Sequence, residues 1–287
     1  VGDWVCVEKQ PGDKFGVIHT LLERRTSLCR KLAGNEIEFQ MIAANVDYVL
    51  VVQSCHFDFN PKRLERYLIM VLEGGSEPCI LLTKTDLVSP AVLAAQLAEI
   101  RSIGITTPIV PLSNVTGDGL NAVKQRLLPG MTYCFVGSSG VGKSTLINQL
   151  IGRDRMETRS LSGSGEGRHT TVRRELICLE GGALVIDNPG MREFSILGAE
   201  SGITSNYAVI SGLASGCRYQ DCSHTGEPDC AVLTAVQTGE VSKDSLDNFR
   251  KLKEESGSNN LSYADKRKKD QGFGRSIKSA KKDKRNT

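Results

Sequence analysis

The eight residues from Gly137 to Ser144 carry the most specific chemical pattern in the chain. They read Gly-Ser-Ser-Gly-Val-Gly-Lys-Ser and match the motif G-x-x-x-x-G-K-[ST] in full. In such a loop the backbone N–H groups surround phosphate oxygens, a lysine adds positive charge, and a serine hydroxyl can bind magnesium. We predict that this loop binds the phosphates of a nucleotide through Gly137, Ser138, Ser139, Gly140, Val141, Gly142, Lys143, Ser144 and Thr145.

A second phosphate-side pattern follows the apolar run at 183–186. Asp187 stands at the end of this predicted strand and can hold magnesium through water, and the N–H of Gly190 can meet a terminal phosphate. The Gly-rich segment before it contains Thr170 and Thr171, either of which can complete the magnesium shell; the sequence does not choose between them. A plain surface loop is the alternative for that segment.

Two further loops have the chemistry to read a base. Thr83, Lys84, Thr85 and Asp86 follow the predicted strand 79–82 and resemble the N-K-x-D motif of GTP-binding proteins. One carboxylate, that of Asp86, can accept hydrogen bonds from the guanine ring N–H and exocyclic amine, a donor pair that adenine lacks. The stem of Lys84 can lie over the base plane. The pair Ser113 and Asn114 resembles the loop that offers a backbone N–H to the guanine oxygen.

These motifs occur in an unusual order. In ordinary GTPases the phosphate loop comes first and the base-reading motifs come last, whereas here residues 83–86 and 113–114 precede residues 137–144. A parallel sheet tolerates such a circular permutation when its chain termini lie close together. The sequence therefore predicts a circularly permuted nucleotide-binding domain.

A cysteine-rich cluster lies near the C-terminal end. Cys217, Cys222, His224 and Cys230 provide three thiolates and one imidazole within 14 residues, which is a complete tetrahedral zinc set. All four positions are filled by protein, so we predict one structural zinc ion per chain. The alternative is that the four residues are close by accident and bind nothing.

The elements that must position these residues are those of an α/β protein. Short strands are predicted in the first 43 residues, near 2–7, 15–21 and 37–42, and suggest an incomplete β-barrel. Apolar strands then alternate with helices, which predicts a mostly parallel sheet with its ligand at the carboxyl ends of the strands. After residue 201 the chain becomes helical, with a flexible joint predicted at 256–260.

Composition and charge narrow the class of protein. The 287 residues are 39% hydrophobic and 24% charged, as in globular proteins, and no apolar run is long enough to predict a membrane span. Residues 266–287 hold ten Lys or Arg and two Asp, so this tail carries +8 within a net charge of +3. Such a tail is either a nucleic-acid contact or a solvated, disordered appendage. Nine cysteines, an odd number, favour a reducing compartment, and we expect a cytoplasmic protein.

Taken together, these residues resemble the RsgA (also called YjeQ) family of circularly permuted GTPases that act in the biogenesis of the small ribosomal subunit. The resemblance includes residues 42–47, the phosphate and base-reading loops, residues 167–171 and 187–194, and the cysteine cluster. It implies an OB-fold at 1–43, a permuted GTPase domain at 44–200 and a helical zinc-binding domain with a basic tail at 201–287. Val1–Trp4 resembles the middle of the family's OB-fold, so its first strands are expected to be absent.

The resemblance also implies a function. Members bind the small (30S) ribosomal subunit and its rRNA late in assembly, bind GTP and GDP, and hydrolyse GTP slowly until the subunit stimulates them. Hydrolysis then releases the factor. We expect a monomer with no membrane partner. Two departures stand out: Thr83 replaces the usual Asn, which predicts a weaker tie to the phosphate loop, and Asn114 replaces the common Ala.

The residues expected to carry catalysis are Lys143, Thr170 and His169. Position 191 holds Met where Ras-like proteins place a water-orienting Gln, so another group must orient the attacking water. The His169 imidazole is the candidate, and the alternative is that it only packs. A second function remains open at this point: a zinc-stabilised RNA-binding protein that uses guanine nucleotide only as a conformational switch.

Overall fold

The computed structural model describes residues 1–9, 12, 15–31, 39–152, 175–187 and 199–260. For residues 30, 31, 39, 187 and 257–260 it describes the backbone alone. No described helix combines the length and the apolar character that a membrane crossing requires.

The N-terminal segment contains four described strands, in two separate two-stranded antiparallel sheets. β1 (Val5–Glu8) pairs with β2 (Val17–Leu21), and β3 (Ser27–Lys31) pairs with β4 (Phe39–Ala44). The sequence predicted three of these strands and missed β3, whose charged residues conceal the apolar alternation that marks a strand. The OB-fold barrel stays a prediction.

The central element is a six-stranded sheet. In chain order, the strands of this sheet and the helices between them are β5 (Tyr48–Ser54), α1 (Pro61–Glu73), β6 (Glu77–Thr83), α2 (Pro90–Ser102), β7 (Ile109–Pro111), α3 (Leu120–Arg126), β8 (Thr132–Val136), α4 (Lys143–Ile151), β9 (Glu175–Cys178) and β10 (Leu184–Asp187). The strand order is β7-β6-β5-β8-β10-β9. Five strands are parallel, as predicted, and β9 is an antiparallel edge strand because a short turn joins it to β10.

The parallel strands bury their side chains on both faces. Every residue of β8 is buried, as are residues 49–54 of β5, so these strands appear in the sequence as continuous apolar runs. Since all five parallel strands run the same way, their carboxyl ends lie at one edge of the sheet. The segments that leave this edge are the loops at 55–60, 83–86, 112–114, 137–142 and the end of β10.

Within the described residues 199–260 there are four helices: α5 (Glu200–Asn206), α6 (Ala208–Ala214), α7 (Ala231–Gln237) and α8 (Lys243–Asn260). They enclose a hydrophobic core around Ile203, Tyr207, Val232 and Phe249. The prediction of a flexible joint at 256–260 is wrong, because the backbone of α8 is helical to residue 260. Ser256 is 1% exposed and accepts a 3.1 Å hydrogen bond from the Ala199 N–H, which fixes this turn.

Helix α1 joins the sheet to these helices. Its Glu73 carboxylate accepts a 2.7 Å hydrogen bond from the N–H of Gly202, and Arg66 donates two 2.6 Å hydrogen bonds to Glu255 of α8. Deeper in the contact, the Tyr207 hydroxyl donates a hydrogen bond to the buried carboxyl of Glu65, and burial raises the pKa of that carboxyl.

Candidate functional site

The phosphate loop connects β8 to α4 at the carboxyl edge of the sheet. A Cβ on Gly137 would lie 2.2 Å from the Val52 carbonyl oxygen, so no other residue fits there. Lys143 is the first residue of α4 and is 6% exposed. Its ammonium lies inside the loop and donates hydrogen bonds of 2.8 and 2.7 Å to the carbonyls of Gly137 and Ser138. The cation is thus held beside the N-terminus of α4, where a loop of this type would bind phosphate.

The first base-reading loop is hydrogen-bonded directly to the phosphate loop. Thr83 is fully buried at the end of β6, and its hydroxyl donates a 2.6 Å hydrogen bond to the Val141 carbonyl. The hydroxyl also lies 3.3 Å from the Gln53 carbonyl of β5. The structure therefore shows that Thr83 makes the tie for which an Asn was expected, although the two residues are 58 positions apart.

The second base-reading loop contacts both of its neighbours. Ser113 is fully buried and donates a 2.5 Å hydrogen bond from its hydroxyl to the Asp86 carboxylate, which fixes the orientation of that carboxylate. Asn114 donates a 3.0 Å hydrogen bond from its amide to the Gly142 carbonyl. The resemblance predicted only a backbone N–H from this loop. In the folded chain the Asn114 side chain is a second tie to the phosphate loop.

Removing the Thr83 tie should weaken nucleotide binding. Thr83→Val keeps the side-chain shape but leaves the buried Val141 carbonyl without this donor, a loss of about 1–3 kcal/mol. We expect roughly 5- to 100-fold higher dissociation constants for GTP and GDP, measured by fluorescent nucleotide titration, because the phosphate loop loses one of its two ties. Thr83→Ser keeps the hydroxyl and is the matched control. Wild-type affinity in the valine variant would show that the tie does not support the loop.

The remaining predicted phosphate-side residues are only partly described. Asp187 is the last residue of β10 and pairs in register with Phe135 of β8, so its backbone lies at the same edge as the phosphate loop. His169, Thr170, Thr171 and Gly190 lie outside the described residues, as does the basic tail at 266–287. Their roles stay predictions.

Tyr67 is a residue of this site that the sequence motifs did not indicate. Tyr67 of α1 is 2% exposed, and its hydroxyl interacts with the Ser138 side chain of the phosphate loop. Burial raises the pKa of Tyr67 to about 12. The sequence held a signal, since Leu64, Tyr67, Leu68 and Val71 recur at helical spacing on one buried face. A tyrosine on such a face needs a partner for its hydroxyl.

The predicted metal ligands converge in the folded chain. The ligand atoms of Cys217, Cys222, His224 and Cys230 all lie within 4.8 Å of one another. The Cys217 and Cys230 sulfurs are 3.8 Å apart, and His224 Nδ1 lies 3.7 and 3.4 Å from them. Two thiolates bound tetrahedrally to zinc at about 2.3 Å would lie about 3.8 Å apart. The donor set and its dimensions therefore fit zinc.

The surroundings of the cluster favour a structural role. Burial lowers the pKa of the His224 imidazole, which favours the neutral form that binds metals. Cys230 is the N-cap of α7, where its sulfur accepts a 3.4 Å hydrogen bond from the Leu233 N–H. Cys230 also belongs to the hydrophobic core of the C-terminal helices, so a metal here would join a loop, a helix and that core.

A cavity of about 590 Å³ lies at the opposite edge of the sheet, where the parallel strands begin. Its lining includes the stacked rings of Tyr48 and Tyr133, together with Cys79 and Arg126. None of the phosphate-binding or base-reading residues lines it. The motifs, and not this cavity, therefore locate the candidate nucleotide site.

Comparison with known proteins agrees with this geometry. The family model described as RsgA GTPase matches residues 21–197. A protein of Opitutus terrae named small ribosomal subunit biogenesis GTPase RsgA is 42% identical over 265 residues, which cover 89% of this chain and 72% of that protein. A protein of the same name from Streptomyces avermitilis is 40% identical over 253 residues, covering 88% and 68% of the two chains.

Two solved structures share the fold. YjeQ from Thermotoga maritima aligns with a TM-score of 0.64 and 27% identity, over 88% of this chain and 82% of that one. YloQ, described as a circularly permuted GTPase, aligns with a TM-score of 0.60 and 25% identity, over 88% and 79%. The permuted order inferred from the motifs is thereby confirmed, and the chain belongs to the RsgA GTPase family.

Proposed function

We propose that this chain is a GTP-hydrolysing assembly factor that binds the small (30S) ribosomal subunit late in its maturation. The subunit and its rRNA stimulate hydrolysis, and hydrolysis drives release. The observation that carries the proposal is the meeting of three loops at one sheet edge, where Thr83 and Asn114 donate to the carbonyls of Val141 and Gly142. Membership in the RsgA GTPase family and the names of the relatives support the ribosomal partner. We place the factor in the cytoplasm as a monomer.

The residue roles follow from their positions. Lys143 binds the terminal phosphates, because its ammonium already lies within the loop against two carbonyls that phosphate oxygens can replace. The Asp86 carboxylate, held by Ser113, accepts from the guanine edge. Lys84 lies beside it on a left-handed backbone with φ 62°. Thr85, Gly190 and the other residues of the phosphate and base-reading loops complete the nucleotide site through their N–H groups or side chains.

Magnesium bound with GTP supplies charge neutralisation at the phosphates. We assign it to Ser144, Asp187 and either Thr170 or Thr171, since hydroxyl and carboxylate oxygens are the donors this ion prefers. Ser144 lies in the first turn of α4, and Asp187 ends the strand next to β8, which supports a shared position at this edge. Zinc is assigned to the Cys217, Cys222, His224 and Cys230 cluster.

The domain organisation we propose is that of the family: a partial OB-fold at 1–43, the permuted GTPase domain at 44–200, and the zinc-binding helical domain with its basic tail at 201–287. Two features of the described residues support it. The four N-terminal strands pair only with one another in the described sheets. The helices after residue 199 share a core of their own, to which α1 contributes Ile69.

The decisive experiment measures phosphate release from GTP with and without purified small subunits. We expect slow hydrolysis by the chain alone and strong stimulation by the subunits. His169→Ala should lose stimulation on the order of 100-fold or more, because an unoriented water attacks poorly. His169→Gln, which keeps a hydrogen-bonding group, should recover part of it. Full stimulated turnover in the alanine variant would remove His169 from the catalytic role.

The same measurement separates the second function. If small subunits bind more tightly with GTP than with GDP but do not stimulate turnover, the chain is a zinc-stabilised RNA-binding protein with a nucleotide switch. Binding at increasing salt concentration adds a control, since each Lys or Arg contact to phosphate releases counterions. A chain lacking residues 266–287 should show a shallower dependence on salt if this tail contacts RNA.

A further inference from the structure

Phe57 is a large aromatic side chain at the carboxyl edge of the sheet that none of the nucleotide-binding motifs includes. It lies in the loop between β5 and α1, and its side chain is 56% exposed. This loop follows β5, which lies between β6 and β8 in the sheet. The first base-reading loop follows β6, and the phosphate loop follows β8.

The ring of Phe57 contacts Lys84 of the first base-reading loop and lies close to the phosphate loop. The Lys84 ammonium lies over the ring face, 4.3 Å from the ring centroid. A Cβ on Gly140 of the phosphate loop would lie 3.7 Å from Phe57 Cζ, so the ring also lies close to that loop. Phe57 therefore spans the gap between the residue expected to cover the base and the loop expected to hold the phosphates.

Hydrogen bonds hold the loop that carries this ring. The N–H of Cys55 donates to the Thr83 carbonyl at 2.9 Å, and Gln96 donates to the Cys55 carbonyl at 2.7 Å. On the far side of Phe57, Arg63 forms a 2.6 Å ion pair with Asp58. The loop is therefore anchored at Cys55 before Phe57 and at Asp58 after it.

We propose that Phe57 is a positioning residue that holds the Lys84 ammonium beside the phosphate loop and thereby sets the affinity for guanine nucleotides. A cation over an aromatic face is attracted by the ring quadrupole. Holding a flexible lysine in its binding position beforehand reduces the conformational entropy lost when a ligand binds. The contact is the same whichever guanine nucleotide is present, so it strengthens GTP and GDP binding alike and leaves the hydrolysis step unchanged. This inference rests on the proposed function.

The test compares Phe57→Leu with Phe57→Tyr by titration of fluorescent GTP and GDP analogues. Leucine keeps an apolar side chain but has no ring quadrupole, and we expect both dissociation constants to rise roughly two- to tenfold. Tyrosine keeps the ring and should bind like the parent chain. The rate of single-turnover hydrolysis at saturating GTP should stay the same in both variants, which a general loss of structure would not allow.

A double-variant cycle then decides whether Phe57 acts through Lys84. In the Lys84→Ala background, Phe57→Leu should cause little further loss, because the cation it holds is gone. An equal loss in both backgrounds, a tyrosine variant as weak as leucine, or unchanged binding by Phe57→Leu would each overturn the inference while the parent still binds GTP. If the parent binds neither GTP nor GDP, the proposed function fails and this inference fails with it.

Discussion

The Asp86→Asn variant should bind GTP roughly 10- to 100-fold more weakly than the parent chain and should lose its preference for guanine. A carboxylate can accept both the ring N–H and the exocyclic amine of guanine, whereas an amide can accept only one and presents a donor to the other. A hydrogen bond to a charged group contributes about 1.5–3 kcal/mol, which gives this range. Ser113 already fixes the carboxylate with a 2.5 Å hydrogen bond, so little rearrangement can compensate.

Competition binding measures the effect. GTP, ATP and xanthosine triphosphate compete with a fluorescent guanine nucleotide, and the variant should gain affinity for the xanthine base, which has an acceptor where guanine has its amine. Asp118→Asn is a matched control in the neighbouring loop, where the Asp118 carboxylate is exposed and accepts from Thr116. Equal competition by GTP and ATP in the parent chain would show that the guanine assignment is wrong.

Loss of the metal should have the second large effect. The purified chain should carry about one zinc ion, and Cys230→Ser should lose it, because one of four ligands is removed. Zinc binding by structural sites contributes on the order of 10 kcal/mol to folding. Since Cys230 caps α7 and belongs to the C-terminal core, protection from hydrogen exchange should fall first in the cysteine loop and α7.

Elemental analysis and hydrogen exchange by mass spectrometry test this prediction. Cys178→Ser is the matched control, since Cys178 is exposed on β9, outside the cluster, and its loss should leave the zinc content unchanged. A parent chain that contains no metal yet shows full protection of residues 215–237 would refute the assignment. Full protection in the metal-free Cys230→Ser variant would show that the hydrophobic core alone holds these helices.

Some features of the molecule are set by short stretches of sequence. The phosphate loop depends on glycines at fixed spacing within eight consecutive residues. The buried parallel strands are visible as apolar runs, since both of their faces are covered. The four zinc ligands stand within 14 residues, so loop closure alone can bring them together. Each of these depends on residues that are neighbours in the chain, and the sequence predicted them.

Other features are set by contacts between distant residues, and only the tertiary structure decided them. The tie from Thr83 to Val141 spans 58 positions, and the hydrogen bond from Tyr207 to Glu65 spans 142. The first exists because only β5 separates β6 from β8 in the sheet. The second exists because α1 packs against the C-terminal helices. The same reason explains the error at 256–260, where Gly and Ser favour a flexible joint locally but the buried Ser256 hydroxyl secures the helix. The composition of a segment indicates which local structure it favours, and contacts with distant residues determine which structure it adopts in the folded chain.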